Sequence, residues 1–427
     1  MYVRTREKQM VRKIKAKISI TFRALRQKNF RLFFIGQGIS LIGSWIQNIA
    51  MSWLIYSLTK SAFMMGLVTF INALPNLFLT PIAGVIIDRV NKYKLLIWLQ
   101  SFFLLQALML AILTLLGIID IWHIIVIGIL TNTTAAFDMP LRQAMVINLV
   151  DNPRDLSNAI SLNSTNFNLA RLLGPAIAGV LIAKFSEGIC FLINAISYIA
   201  VIWALLLMHL QLPKNNKVKK DKFISSLVDG IKYAKDTPPI RLILLTLTFV
   251  SFIGISYPLL MPIFADEILK GDARTLGILM SASGVGALCA SLILATRSKN
   301  KILSQYLFGG ICVFGGSFIG IGLTSSMFFA VVMMFCLGFG MVLGLISCNT
   351  MLQQIVDDDK RGRIMSLYTV AFIGTVPWGN LFAGSVAHQI GITPTFMFLG
   401  VMLIMAAAIY QHFAKKIDFS SYVKIAD

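Results

Sequence analysis

From Ser61 to Ile87, and again from Leu95 to Ile119, the chain carries no charged residue. Apolar runs of this kind recur along nearly its whole length. At about 1.5 Å per residue, a helix of about 20 residues crosses a hydrocarbon core about 30 Å thick. Backbone N–H and C=O groups find no water there, so such runs must be helical. The balance of side chains agrees: 57% of the 427 residues are hydrophobic and only 13% are charged, against about 25% charged in an average soluble domain. The chain reads as an all-α, multi-pass membrane protein.

Charge, Gly, Pro and Asn bound twelve such runs. The first six are Phe30–Leu58, Ala62–Ile87, Leu95–Ile118, Trp122–Leu141, Ala159–Ala183 and Gly188–Leu210; the second six are Leu242–Ala265, Leu276–Ala295, Ile302–Leu323, Met327–Leu352, Ile364–Ala387 and Thr393–Phe413. The organisation expected is a basic arm over residues 1–29, a six-helix bundle over 30–210, a linker over 211–241, a second six-helix bundle over 242–413 and a tail over 414–427. The linker holds KNNKVKKDK and then FISSLVDGIKYAKD. The latter reads as an amphipathic helix on the membrane surface, with Phe223, Leu227 and Ile231 on one face.

In a soluble protein the formal net charge of +20 would suggest nucleic acid. Its distribution removes that need. With the N-terminus inside, 33 of the 38 Lys and Arg fall in inner segments, and four, Lys60, Lys184, Lys270 and Arg274, fall outside. Such a bias places both termini in the cytoplasm, for a protein of the cytoplasmic (inner) membrane. The stretch before Leu32, with eleven Lys or Arg against one acid, Glu7, suits anionic lipid. The first apolar run is too long for a signal-peptide core. The five cysteines lie within apolar runs and form no CxxC pair, so they read as small buried hydrophobes, not metal ligands. No cofactor, metal or nucleic-acid partner is expected, and the protein is read as a monomer among membrane lipids.

The two sets of six helices resemble each other. RQAMVINLVDNPRDLSNAISL precedes the fifth run and NTMLQQIVDDDKRGRIMSLYT the eleventh. Ser161-Leu162 matches Ser366-Leu367, and Gly174 and Ala178-Gly179 match Gly379 and Ala383-Gly384, with one constant offset. Gly66-Leu67 and Gly277-Ile278 pair at a similar spacing. Duplicated halves around a midplane site suggest a secondary transporter.

Between the second and third runs stands GVIIDRVNKYK: Gly84, three residues, Asp88-Arg89, two residues, Lys92, one residue, Lys94. It resembles the signature loop of the major facilitator superfamily and occupies the same position in the topology. The resemblance implies a gate in which Asp88 meets the start of span eleven, here Arg361-Gly362-Arg363, when the cytoplasmic side is shut. An acid at a helix N-terminus gains about 0.3–1 kcal/mol from the helix dipole. FRLFFIGQGISLIGSWIQNIAMSWLIYSLTKSA and the paired stretches before spans five and eleven narrow the likeness. They resemble the branch that includes the enterobactin exporter and macrolide efflux proteins. That branch implies export of bulky amphipathic molecules, a siderophore or a drug, in exchange for protons.

Arg171 is twelve residues into span five from Ala159, about 18 Å along the helix and near the midplane. A charge at that depth is costly and is usually functional. It belongs to RLLGPAIAG, whose Gly174, Pro175 and Gly179 resemble the exporters' helix-bend motif. The matching position in the second half is Val376, so packing symmetry does not demand an arginine. Two readings stand side by side: Arg171 binds an anionic or polar substrate group, or it pairs with Asp138. Asp138, one turn before Arg142, is a candidate proton carrier or a member of a structural ion pair with Arg171 or Arg142. Gln37, Gln47, Asn48, Asn72, Asn163, Asn166, Tyr257 and Asn380 are candidates to line the cavity, against plain helix–helix hydrogen bonding. Asp266 and Glu267 read as interfacial groups, and His123, His209, His388 and His412 as anchors at span ends.

No Walker loop, metal spacing or Ser/His/Asp set is visible, so the expectation is a transporter and not an enzyme. The function expected is proton-coupled efflux of a bulky amphipathic small molecule by alternating access. Lipid or lysophospholipid transport, and an importer or facilitator of the same fold, are the alternatives. A non-transporting receptor or assembly factor would lack a midplane cavity.

Overall fold

The computed structural model describes residues 23–87, 89–150, 153–208, 223–295, 300–357, 359–417 and 419. Among them there is no strand, and twelve helical segments are long and apolar enough to cross a membrane. Spans one to six are Lys28–Thr59, Ala62–Ile87, Lys92–Leu115, Ile121–Asn148, Pro153–Lys184 and Glu187–Leu206. The linker helix is Phe223–Asp236. Span seven is Pro238–Ile268, and spans eight to ten are Ala273–Ala295, Asn300–Gly322 and Met327–Ile355. Span eleven is Arg361–Ile390 and span twelve Ile392–Ala414. The fold is two six-helix bundles, as the duplicated sequence implies. The start of span one and the end of span twelve fall at one end, called below the terminal end; the other is the far end.

Caps fix several boundaries. Asn91 accepts a bond from Lys94 N and starts span three. Asp120 accepts from Ile121 N, while His123 Nδ1 accepts from Asp120 N, so His123 closes a capping box at the far end. Span one ends on Lys60 in the left-handed region (φ 46°), and Gly391 (φ 86°) makes the tight turn between spans eleven and twelve. Span four runs through Pro140 to Asn148, and span five starts at Pro153. Apolar runs alone cut both short at their first polar turns, because a helix continues through polar residues that hydropathy does not count.

Two spans are irregular. Proline has no N–H to donate, so Pro258 leaves the Gly254 carbonyl without its helical bond. Span seven breaks there into Pro238–Gly254 and Tyr257–Ile263, then ends in a π-turn over Phe264–Ile268. Pro377 acts likewise on span eleven, where a π-turn occupies Val370–Gly374.

Spans three and six, and nine and twelve, pack within their own halves. The halves meet chiefly where span two lies against span eleven and span five against span eight. Glycines set both seams. A Cβ on Gly384 would lie 3.1 Å from Gly66 Cα, and one on Gly179 would lie 3.0 Å from Gly277 Cα. Gly66 and Gly277 are repeat mates, as are Gly179 and Gly384. Each mate therefore meets the other pair's member across the interface, as a pseudo-twofold axis along the membrane normal requires. All four lie toward the far end.

One side of the linker helix packs on the protein. Ala234 is buried, and Gly230 lies on span eleven, where a Cβ would stand 3.2 Å from Arg363 Cβ. Ile231, expected on the lipid face, is half-exposed. The side chains of Phe223 and Leu227 lie outside the described residues.

Candidate functional site

One face of span five shows how the halves diverge. Leu172, Pro175 and Gly179 on that face meet Gly284, Gly277 and the start of span eight. Toward the terminal end the same face continues as Ser161, Ser164, Thr165 and Asn168; the first three are exposed and Asn168 is half-buried. Span two behaves alike against span eleven. Phe70 stacks edge-on to Trp378, with ring centroids 4.8 Å apart, and Leu77 reaches Gly374. Beyond them Phe78, Ile82 and Val370 are exposed. At the terminal end itself nothing among the described residues lies within 4 Å of a Cβ built on Gly84 or Gly362. The halves are thus closed at the far end and open at the terminal end, around a central cleft.

A cross-half clamp reinforces the closed end. Tyr56 Oη donates to Asp266 Oδ2 at 2.7 Å, and Lys60 Nζ lies 2.9 Å from the same oxygen. The Lys60 ammonium also sits 4.4 Å from the Tyr56 ring centre. Tyr56 donates a longer bond, 3.4 Å, to Glu267. Asp266 therefore links span seven to span one. From sequence Asp266 reads only as an interfacial group at a span end, since its partners are some two hundred residues away.

Arg171 occupies the inner sector of span five. Asn166 Nδ2 donates to Phe34 O at 3.0 Å, and Gly174 lies on Trp45, so these residues mark the face on span one. Leu169, Leu173 and Val180, apolar and exposed, mark the lipid face. At about 100° per residue, Arg171 falls between the span one and span eight faces, opposite the lipid. Its half-buried side chain forms no hydrogen bond or ion pair among the described residues. Phe167, one helical turn before it, meets Trp45 edge to face, 5.9 Å between centroids.

Asp138 is not the partner of Arg171. It pairs with Arg142, one turn away, at 2.6 Å. Gln100 of span three joins both, its Nε2 donating to Asp138 Oδ1 at 2.8 Å and its Oε1 accepting from Arg142 Nη2 at 3.0 Å. Both charged side chains are 15% exposed. A helical i, i+4 pair is the cheaper arrangement. The cluster lies inside the first half, on the side away from the seams.

The amides divide. Gln47 accepts from Asn194 at 2.7 Å, Asn166 holds span one, and Tyr257 bonds Ser283 at 3.0 Å; these join neighbouring helices. Asn380 is buried, its carbonyl against Gly66. Buried oxygens of Gln37 and Asn72 have no partner among the described residues. Asn48 is exposed. Asn163 is half-buried, on the span one face.

At the terminal end the motif loop is only partly described. Asp88 lies outside the described residues, as does His209. Arg363 Nη1 instead lies 3.4 Å from Asp229 of the linker helix. Beside it Tyr233 Oη donates to Asp357 Oδ2 at 3.1 Å, and Lys360 sits 4.3 Å above the Tyr233 ring. The linker helix is thereby clasped to the junction of spans ten and eleven. An amphipathic pattern could not reveal this, because the contacts are polar and join distant segments. His388 lies by the Phe63 ring at the far end, and His412 closes span twelve. No group of His, Cys, Asp or Glu suited to a metal occurs among the described residues.

Residues 19–421 match a profile of major facilitator proteins described as transmembrane secretion effectors. The staphyloferrin A transporter of Staphylococcus aureus (strain NCTC 8325 / PS 47) is 28% identical, with 91% of this chain and 96% of that protein aligned. Macrolide efflux protein A of Streptococcus pyogenes is 21% identical over 89% of this chain and 94% of its own. Among solved structures, a bacterial homolog of the human lysosomal transporter Spinster superposes with a TM-score of 0.71. Its identity is 13%, and the match covers 93% of this chain and 98% of that one.

Proposed function

We propose, for a chain that belongs to the transmembrane secretion effectors of the major facilitator superfamily, that its task is outward transport of a bulky amphipathic solute, siderophore-like or drug-like. It is a membrane transporter and not an enzyme. The observation that carries the reading of a partly polar solute is the cleft, and the relatives carry the direction. The cleft opens at the terminal end, which the Lys and Arg bias puts in the cytoplasm, and it presents Ser161, Ser164, Thr165, Asn168 and Arg171 to what enters. A solute loads from the cytoplasm, the terminal end closes, and the clamp of Tyr56, Lys60 and Asp266 opens to release it outside. Relatives named for staphyloferrin A transport and macrolide efflux support this direction and solute class. A pathway for lipid alone would not need so polar a stripe.

Closure of the cytoplasmic side requires spans two and eleven to meet near Gly84 and Gly362. Asp88 would then face the Arg361–Arg363 turn, and Arg363 would leave Asp229. For proton exchange the proposed carrier is Asp138, which in this conformation is paired with Arg142 at 2.6 Å. The test is uptake into inside-out vesicles holding the full chain, with and without an imposed pH gradient, across a panel of siderophores and dyes. Export driven by proton exchange gives accumulation that collapses with the gradient. Accumulation indifferent to the gradient removes the proton, and accumulation only in right-side-out vesicles reverses the direction.

A further inference from the structure

Charge inside the membrane is costly, and an unpaired charge most of all. Away from the span ends the described residues hold three ionisable acid or base side chains, Asp138, Arg142 and Arg171. The first two neutralise each other and share Gln100. The other described acids sit at span ends or in connecting segments. Among the described residues, then, the cleft has one uncompensated charge, and it is positive.

Its setting is that of a receptor for an anion. Arg171 faces the cleft from the inner sector of span five, with no protein partner among the described residues. A guanidinium presents a planar fork of donors that matches a carboxylate or similar oxyanion in two parallel bonds. Asn168 and Ser164 follow on the same side toward the open end. Asn168 spends its amide N–H on Ser164 O, which leaves its Oδ1 as an acceptor for a substrate hydroxyl or amide. Phe167, one helical turn before the arginine, meets Trp45 edge to face, and this aromatic pair suits the apolar part of the same molecule. Nothing comparable awaits a cation: among the described residues no carboxylate shares this wall.

We infer that the transported solute is an amphipathic anion whose oxyanion group, a carboxylate in the simplest case, docks on Arg171 while its apolar part rests on Phe167 and Trp45. The inference rests on the export reading only for direction; the site itself requires occupancy alone. The anion supplies the countercharge that the fold omits, and the arginine is neutralised while loaded. Lipophilic cations are disfavoured by the same charge.

The experiment pairs binding with transport on the full-length protein. Three probes of similar size are used: a fluorescein-type carboxylate, its neutral methyl ester and a cationic rhodamine. Binding is read in detergent by quenching of tryptophan emission, and transport in inside-out vesicles. The expected result is carboxylate binding at least tenfold tighter than that of the ester or the cation. Arg171→Gln should lower the carboxylate-to-ester ratio at least tenfold in both assays, and Arg171→Lys should restore part of it. Size-exclusion profiles and thermal unfolding of each variant show that the fold is intact. If ester and cation bind as well as the carboxylate, or if Arg171→Gln leaves the ratio unchanged, the inference is wrong while export can still stand. If the carboxylate binds through Arg171 but moves only in right-side-out vesicles, the export reading fails and the anion site survives.

Discussion

At the residue scale, the Asp138–Arg142 pair is the most exposed to test. Removing one member of a buried ion pair leaves the other charged and unmatched, at a cost of about 3–5 kcal/mol. Asp138→Asn should therefore lower the unfolding midpoint in detergent sharply, and the double change Asp138→Asn/Arg142→Gln should recover much of it. Equal losses in the single and double variants would show that the pair contributes little. If Asp138 also carries the proton, the stabilised double variant should exchange solute down its gradient yet ignore a pH gradient. The sequence left Asp138 two possible partners because it gives depth but not azimuth between helices. The four-residue spacing to Arg142 was the signal available. Arg171, by contrast, was legible from depth alone, since few positions so far from a span end tolerate a charge.

Elements carry the closure. At Gly179 a Cβ would stand 2.7 Å from Ala273 O and at Gly277 one would stand 2.7 Å from Pro175 O. Backbone cannot yield as a flexible side chain can. Gly179→Leu should hence wedge spans five and eight apart at the far end and favour the opposite conformation. Labelling of a cysteine at Arg274 from the far side should rise several-fold; unchanged labelling would mean that the seam is not what holds the closed end. The clamp is weaker. Lys60 and Asp266 are partly exposed, and such a pair is worth about 0–1 kcal/mol. The Tyr56 bond to a carboxylate adds about 1.5–3 kcal/mol at most. Tyr56→Phe should raise far-side labelling more than Lys60→Met does, and the reverse order would place the closing energy in the ion pair. The glycines were visible in the sequence as repeat matches, because duplication preserves offsets. Their cross-pairing was not, because it follows from the symmetry axis and from no single segment. The linker helix shows the same limit: its pattern suggested a lipid face, while Asp229 and Tyr233 engage residues more than a hundred positions away.

For the whole molecule, twelve helices and their two-by-six division followed from run length, charge placement and the repeat, all of which are local or periodic. The conformation did not, since one sequence serves every state of a transport cycle. Here the far end is shut and the terminal end open, so the account turns on whether the two ends move in opposition. Paired spin labels give the direct measurement: one pair at Lys184 and Arg274 across the far end, the other at Arg89 and Arg361 across the terminal end. Distances are then taken in liposomes with and without solute and a pH gradient. Rocking about the central cleft predicts a population in which the first distance lengthens as the second shortens. Distances that stay fixed under every condition, or that lengthen and shorten together, would contradict it.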